Sequence, residues 1–437
     1  MLKMGCAQAD ITPDHEVYLR GYASRNALSR EVEENILLGV IVLKQKEKHV
    51  LILTCDHLGI TIGECNAIRL ELMRQYPVFR EEDIFISASH THFAPGFSPY
   101  IVYTPGGELP LGAHRESGEN FSFFMEKLSG AVKEALQDLE EVRLLQADLK
   151  VSSVAFNRRT EAKSDGKVTT NYLYPDDPEN WEFPFYDPTL HAWKFMKKDD
   201  QPKALLARYG CHPVTGGYSP YRISADYVGY FRQAITREMH CPAFFMQGTA
   251  GDVVPLSRNG SSRRYIGETL SNAVLLGKLM FRDTTDFTLK TAIHTLNGKT
   301  PCLAEKDPAA MEKKWQETVN AVRQGTFEGD FYLEGLQYSY YLEFGAVEET
   351  ELPIHLLQLG DTPLLGLPFE VLTGVGTAIR EQIPGAVVVS HCGGYEGYLP
   401  MEKDFPKGGY ETDLGTVFAP DTGDRLAGLA AEKLETF

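Results

Sequence analysis

The sequence predicts a mixed α/β fold: one large domain of strands alternating with helices, with candidate metal-ligating residues at strand ends and in the loops beyond them. Three observations predict it. Short apolar runs rich in β-branched residues recur along the chain, separated by stretches of helical spacing. Several runs end in a histidine, a glycine turn or a carboxylate, where binding loops gather. Hydrophobic residues make up 43% and charged residues 24% of 437 residues, the balance of a globular protein able to bury a sizeable core. At roughly 150 residues per domain the length allows up to three domains. No linker, low-complexity tract or convincing repeat divides it, so residues 1–437 are read as one domain.

The elements follow in order. Residues 35–43 and 49–54 are apolar runs joined by the polar turn Gln45-Lys46-Glu47-Lys48, which predicts a hairpin. Ile62–Gln75 has helical spacing, Ile84–Ala88 reads as a short buried strand, and 121–139 as an amphipathic helix. A long strand is expected over 143–156, then a polar excursion over 157–188, a length that in compact domains often serves function. The alternation resumes with strands at 204–211 and 243–246 and helices at 227–238 and 264–280. A strand at 290–296, an exposed charged helix at 309–324, strands at 353–359 and 363–367 and a helix at 369–381 follow. Residues 393–423, rich in Gly, Tyr and Asp, read as mostly irregular.

Charge narrows the function classes. Sixty acidic residues against 43 basic ones give a formal net charge of −17. That argues against a nucleic-acid backbone as partner and against a polybasic membrane anchor. No transmembrane segment is expected, because no window holds 18 consecutive apolar residues. The start Met1-Leu2-Lys3-Met4-Gly5-Cys6 lacks the apolar core of a secretory signal. A cytoplasmic location is therefore expected, unless a signal has been removed. Seven scattered cysteines with no CxxC pair read as reduced thiols, not as a Cys-rich zinc site.

Five segments carry candidate chemistry. An apolar strand runs into His90-Thr91-His92 and a Pro95-Gly96 turn. Residues two apart in an extended chain share a side, so the two imidazoles converge as metal ligands or, more plainly, as hydrogen-bonding loop histidines. A second strand ends in His212-Pro213, either a ligand or a satisfied strand-terminal histidine. Gln247-Gly248-Thr249-Ala250-Gly251-Asp252 is a Gly-rich turn that can approach a ligand or merely connect strand to loop. Glu370, after Pro368-Phe369, is a candidate ligand or general base, or a plain acid opening a helix. Tyr395, Tyr398 and Tyr410, among glycines, either pack a loop or present phenol oxygens to a pocket.

Taken in order, these segments resemble the neutral/alkaline non-lysosomal ceramidase family. Gly5-Cys6-Ala7-Gln8-Ala9-Asp10-Ile11-Thr12-Pro13 fits its opening. His90 to Gly96 fits its His-Thr-His-Ser-Gly-Pro-Gly, with Phe93 and Ala94 replacing Ser-Gly. Asn157-Arg158-Arg159, His212-Pro213-Val214-Thr215, Gly251-Asp252-Val253-Val254-Pro255, Pro368-Phe369-Glu370 and the Tyr395 to Glu411 segment fit the rest. The resemblance implies one Zn2+ held by His90, His212, Glu370 and Tyr398, with His92, Arg158 and Tyr410 facing the substrate. Tyr398 is taken over Tyr395 because the family keeps a second tyrosine twelve residues after the ligand, the spacing of Tyr398 to Tyr410. Two histidines, a carboxylate and a phenol suit zinc with an open water position.

Two departures qualify what the family implies. Its Gly-Asp-Val-Ser-Pro serine is Val254 here, and Ser257 could compensate only with a remodelled loop. The chain as given ends at Phe437, so the family's immunoglobulin-like C-terminal domain is expected to be missing. The expectation is a zinc hydrolase whose metal-activated water cleaves an amide or ester in a small molecule, one smaller or more polar than ceramide. A catalytically inactive metal-binding homologue is the alternative, and isomerase or lyase chemistry at the same site a third.

Overall fold

The structure is a computed structural model that describes residues 1–22, 25, 27–97, 113–217, 221–284, 288–300, 307–326 and 349–437. It is a mixed α/β fold built around three sheets of the same strand order. In the first, Ile84–Ala88 runs parallel to Lys48–Cys55, which pairs antiparallel with Leu37–Gln45, which pairs antiparallel with Leu2–Asp10. The second repeats this with Ala243–Gln247, Pro202–Tyr209, Thr189–Met196 and Arg143–Lys150. The third repeats it with Val387–Val389, Thr362–Gly366, Glu349–Leu359 and Lys290–Lys299. In each, a helix connects the parallel pair: Ile62–Gln75, Tyr227–Met239 and Thr373–Gln382. A further helix joins it against the sheet: Ala113–Gln137, Ser262–Leu276 and Thr422–Thr436.

The two-residue period of the strands divides the core. Leu38, Val40, Val42, Leu51 and Leu53 pack under Ile68, Leu72, Leu128 and Val132 of the first helix pair. Their neighbours Ile41, Leu43, Val50 and Ile52 face the other way, into a cluster shared with Trp193, Phe195, Leu206 and Phe244 of the second sheet and Leu357, Leu364 and Val389 of the third. Inner strands buried on both faces explain the near-continuous apolar runs seen in the sequence. The third unit packs its helix pair in the same way, with Val375, Ile379, Leu426 and Ala430 against Ile354, Leu356 and Leu365.

The hairpin forms as the sequence predicts, with Gln45 opposite Lys48 and Lys46 at a φ of +54° in the turn. Helix Ile62–Gln75 opens on a capping box: Thr61 Oγ1 accepts from the Glu64 N–H at 3.2 Å, and Glu64 accepts from the Thr61 N–H at 2.9 Å. Elsewhere the structure corrects the sequence reading. The strand expected over 143–156 ends at Lys150, and Ala155–Asn157 is a separate strand paired with Val253–Pro255. The helix expected over 369–381 begins only at Thr373. Glu370 and Val371 instead form a short strand parallel to Tyr398–Leu399, because the Glu370 N–H bonds to the Gly397 carbonyl. Leu2–Asp10, Thr189–Met196 and Thr422–Thr436 are elements that the sequence patterns do not disclose. The threefold repeat is one of topology and leaves no legible repeat in the sequence. The six cysteines among the described residues are free; Cys302 lies outside them.

Candidate metal centre

The ends of the three parallel strand pairs meet. From the first pair come Asp56-His57 and Ser89-His90. The Ser89 N–H bonds to the Cys55 carbonyl and the His90 N–H to the His57 carbonyl, which leaves His90 in a left-handed turn at a φ of +67°. Strain of this kind persists where the surroundings over-determine it, and it gathers at functional sites. Beneath the turn, Ser89 Oγ donates to Asp56 at 3.1 Å, and both terminal nitrogens of Arg232 hold the same carboxylate, at 2.9 and 2.5 Å. From the second pair comes His212, whose N–H bonds to the Val253 carbonyl. From the third come Glu370 and His391.

The imidazoles are oriented by their outer nitrogens. His90 Nδ1 lies 2.6 Å from the Leu58 carbonyl, and His212 Nδ1 lies 2.5 Å from that of Ala250. A carbonyl only accepts, so each Nδ1 carries the proton and each Nε2 presents a lone pair. Both lone pairs face Glu370 Oε2, at 3.3 Å from His90 and 3.0 Å from His212. Burial pushes His212 down to about 4, with the Arg158 charge acting the same way. Burial alone would raise Glu370, but the adjacent His90 and His212 outweigh it and hold the carboxyl well below its ordinary range. The arrangement is thus two imidazole acceptors and a carboxylate acceptor converging with only acceptors facing one another. A cation between them resolves the repulsion, and nitrogen with oxygen donors suits zinc.

His92 extends the group. Its Nε2 lies 3.3 Å from His90 Nε2, and His90, His92 and His212 form a group that could hold a metal ion. His92 Nδ1, however, is buried without a hydrogen-bond partner, unlike the outer nitrogens of His90 and His212. A ligating histidine nearly always donates its outer N–H, so this geometry separates His92 from the other two. Burial and the two neighbouring histidines hold His92 well below its ordinary range.

Glu370 uses its other oxygen to accept from the Tyr395 hydroxyl at 2.9 Å. The Tyr398 hydroxyl accepts from Arg158 Nη2 at 3.0 Å. Burial, then the nearby Glu370 charge, raise the Tyr398 phenol well above its ordinary value, against the pull of Arg158. Arg158 itself is buried, and its Nε donates to Glu411 at 2.7 Å. Glu411 also accepts from Arg159 and Thr170, each at 3.0 Å. The Tyr410 ring stands edge-on to Tyr398, with centroids 5.5 Å apart. The structure therefore brings all seven sequence-derived candidates into one region.

Three participants lie in segments the sequence reading singles out but are given no role of their own there. The His391 ring stacks on His90 at 4.0 Å and 7°, itself at a φ of +52°. Glu411 fixes Arg158 from a position next to the chosen Tyr410. Gln247 lies where the three strand ends meet. The Ser-His pairs 89–90 and 390–391, each following a strand, are the one signal that could have flagged His391. Val254 is fully buried on Val253–Pro255, opposite Phe156. Ser257 does not replace the family serine: its hydroxyl accepts from Asn259 on the loop that follows and bonds to Ser262 at the start of the next helix.

The chain is similar to known proteins in sequence and in fold. The family model described as neutral/alkaline non-lysosomal ceramidase, N-terminal, matches residues 2–262. The neutral ceramidase of Drosophila melanogaster is 23% identical over 242 residues, which cover 54% of this chain and 32% of that protein. The neutral ceramidase of Pseudomonas aeruginosa is 22% identical over 262 residues, covering 58% and 37%. The chain thus spans about a third of the length of these curated relatives. The crystal structure of the Pseudomonas aeruginosa neutral ceramidase superposes with a TM-score of 0.73 at 17% identity, covering 98% of this chain and 73% of that one. A structure of a ceramidase complexed with C2 gives the same score and identity, covering 100% and 75%. With its model matching more than half of the residues, the chain belongs to the neutral/alkaline non-lysosomal ceramidase family.

Proposed function

We propose that this protein is a zinc-dependent hydrolase that cleaves an amide, or an ester, in a small molecule more polar or smaller than ceramide. The observation that carries the reading is the convergence of the His90 and His212 Nε2 lone pairs on Glu370 Oε2. His90, His212, Glu370 and Tyr398 would hold the ion. Zinc, when bound, supplies a Lewis acid and a water acidic enough to ionise near pH ~7. His92 stands beside the ligands with an unpartnered Nδ1 and takes and returns the proton. Arg158, fixed by Glu411 and set against the ring of Tyr398, on which Tyr410 packs edge-on, offers a permanent cation to the developing oxyanion. Val254 supports the narrower substrate, since a buried valine offers no hydrogen bond where the family has a serine.

The same Val254 favours a second reading, an inactive homologue that binds metal and a small ligand. One experiment separates them: metal analysis of the purified protein, with turnover across amide and ester substrates before and after chelation. Chelator-sensitive turnover restored by zinc supports the hydrolase. Metal content near one equivalent without turnover supports the inactive homologue. A protein that binds no divalent ion, or whose turnover ignores chelation, overturns both.

A further inference from the structure

We infer that Gln247 is the positioning residue that sets the spacing of the histidines, an inference that rests on the metal-centre reading above. Gln247 ends the parallel strand Ala243–Gln247 and is fully buried. Its Nε2 donates to the Ser89 carbonyl at 3.1 Å and to the Cys211 carbonyl at 2.9 Å. Its Oε1 accepts from the Cys211 N–H at 3.3 Å and the Gly248 N–H at 3.0 Å. Its backbone carbonyl accepts from the Ser390 N–H at 2.9 Å. Ser89, Cys211 and Ser390 are the residues immediately before His90, His212 and His391. One residue therefore ties together the three turns that carry the imidazoles, one from each repeat of the fold.

The amide is specified by this network. Reversing it would turn Oε1 toward two carbonyl oxygens and the NH2 group toward two N–H donors. Glutamate keeps the shape but has no N–H to give. Gln247→Glu would leave the Ser89 and Cys211 carbonyls facing a carboxylate, and methionine would leave all four bonds unmade. Because partners that orient metal ligands are worth about 10–100-fold in affinity, either change should weaken zinc binding by about that factor.

The test measures zinc affinity by competition with a chelating dye for the parent, Gln247→Glu and Gln247→Met, and records cobalt-substituted spectra of each. Alongside, the melting temperature of each apo-protein is read. A loss of about 10–100-fold in affinity with an altered cobalt spectrum supports the inference. Unchanged affinity and spectrum, with only the apo melting temperature lowered, overturn it in favour of a purely structural role. Should neither variant fold, hydrogen exchange of the parent decides. Zinc should slow exchange at the Cys211, Gly248 and Ser390 amides, and unchanged protection there overturns the inference. A parent that binds no zinc sinks the metal-centre reading itself; a parent and variants that bind alike sink only the role of Gln247.

Discussion

Single residues at the centre differ in how far the sequence discloses them. His90, His212 and Glu370 stand in ordered motifs whose resemblance to the ceramidase family implies a metal before any geometry is known. Glu411 carries no such signal, because its role depends on Arg158 and Arg159 arriving from a segment distant in the chain. Its carboxylate is fully buried between the two guanidinium groups. Burial acts to raise it, and the Arg158 and Arg159 charges reverse that and hold it low. Glu411→Gln leaves two buried cations short of a counter-charge and should cost about 3–5 kcal/mol, read by urea denaturation; a loss under ~1 kcal/mol would mean the pairs contribute little. Glu34 shows the opposite sign. Burial, assisted by Asp226 and Asp56, pushes it up to about 8 against the Ser224 hydrogen bond and Arg232. The folded state then holds a proton that the unfolded chain releases near 4.5, so stability falls as pH rises from there through about 8. Glu34→Gln should flatten that fall, making the variant gain on the parent as pH increases; denaturation curves across this range that stay parallel would refute it.

At the level of elements, the sequence discloses those whose pattern is local. The hairpin, the helix Ile62–Gln75 and the strand Ile84–Ala88 follow from periodicity and turn chemistry. The helix start near Glu370 does not. Asp252 decides it from 121 residues away, accepting the Thr373 N–H at 2.9 Å and its hydroxyl at 2.8 Å. Its other oxygen accepts from Asn157 at 2.7 Å, so one carboxylate links the helix after Glu370 to the strand beside Arg158. Two caps on two helices should therefore behave differently. Thr61→Ala removes a local capping box and should cost about 1 kcal/mol of stability with zinc affinity unchanged. Asp252→Ala should lower both stability and zinc affinity, because it frees the segments carrying Glu370 and Arg158. Equal effects of the two variants on zinc affinity, measured by dye competition, would show that capping is not coupled to the site.

Across the whole molecule, the family model ends at residue 262, while Glu370 beside His212 and Tyr398 beside Arg158 come from beyond it. The three units share one strand order, and each supplies one side of the same buried cluster. Leu289, Leu357, Leu359, Leu364, Val387, Val389 and Cys392 are the third unit's share of that cluster. Removing them uncovers the side chains they pack on in the first two units, at roughly 1.5–3 kcal/mol for each large apolar group. Several such exposures together match the whole stability of an ordinary domain, about 5–15 kcal/mol. A fragment of residues 1–284 should therefore lack a cooperative thermal transition and bind a hydrophobic dye, although it contains every residue the family model matches. It should also fail to hold zinc as the full chain does, since His90 and His212 would face no carboxylate from Glu370. Calorimetry and dye competition on the purified fragment test this. A sharp transition with its own heat of unfolding would show that the first two units fold without the third, and zinc affinity equal to that of the full chain would show that the ligands converge without it.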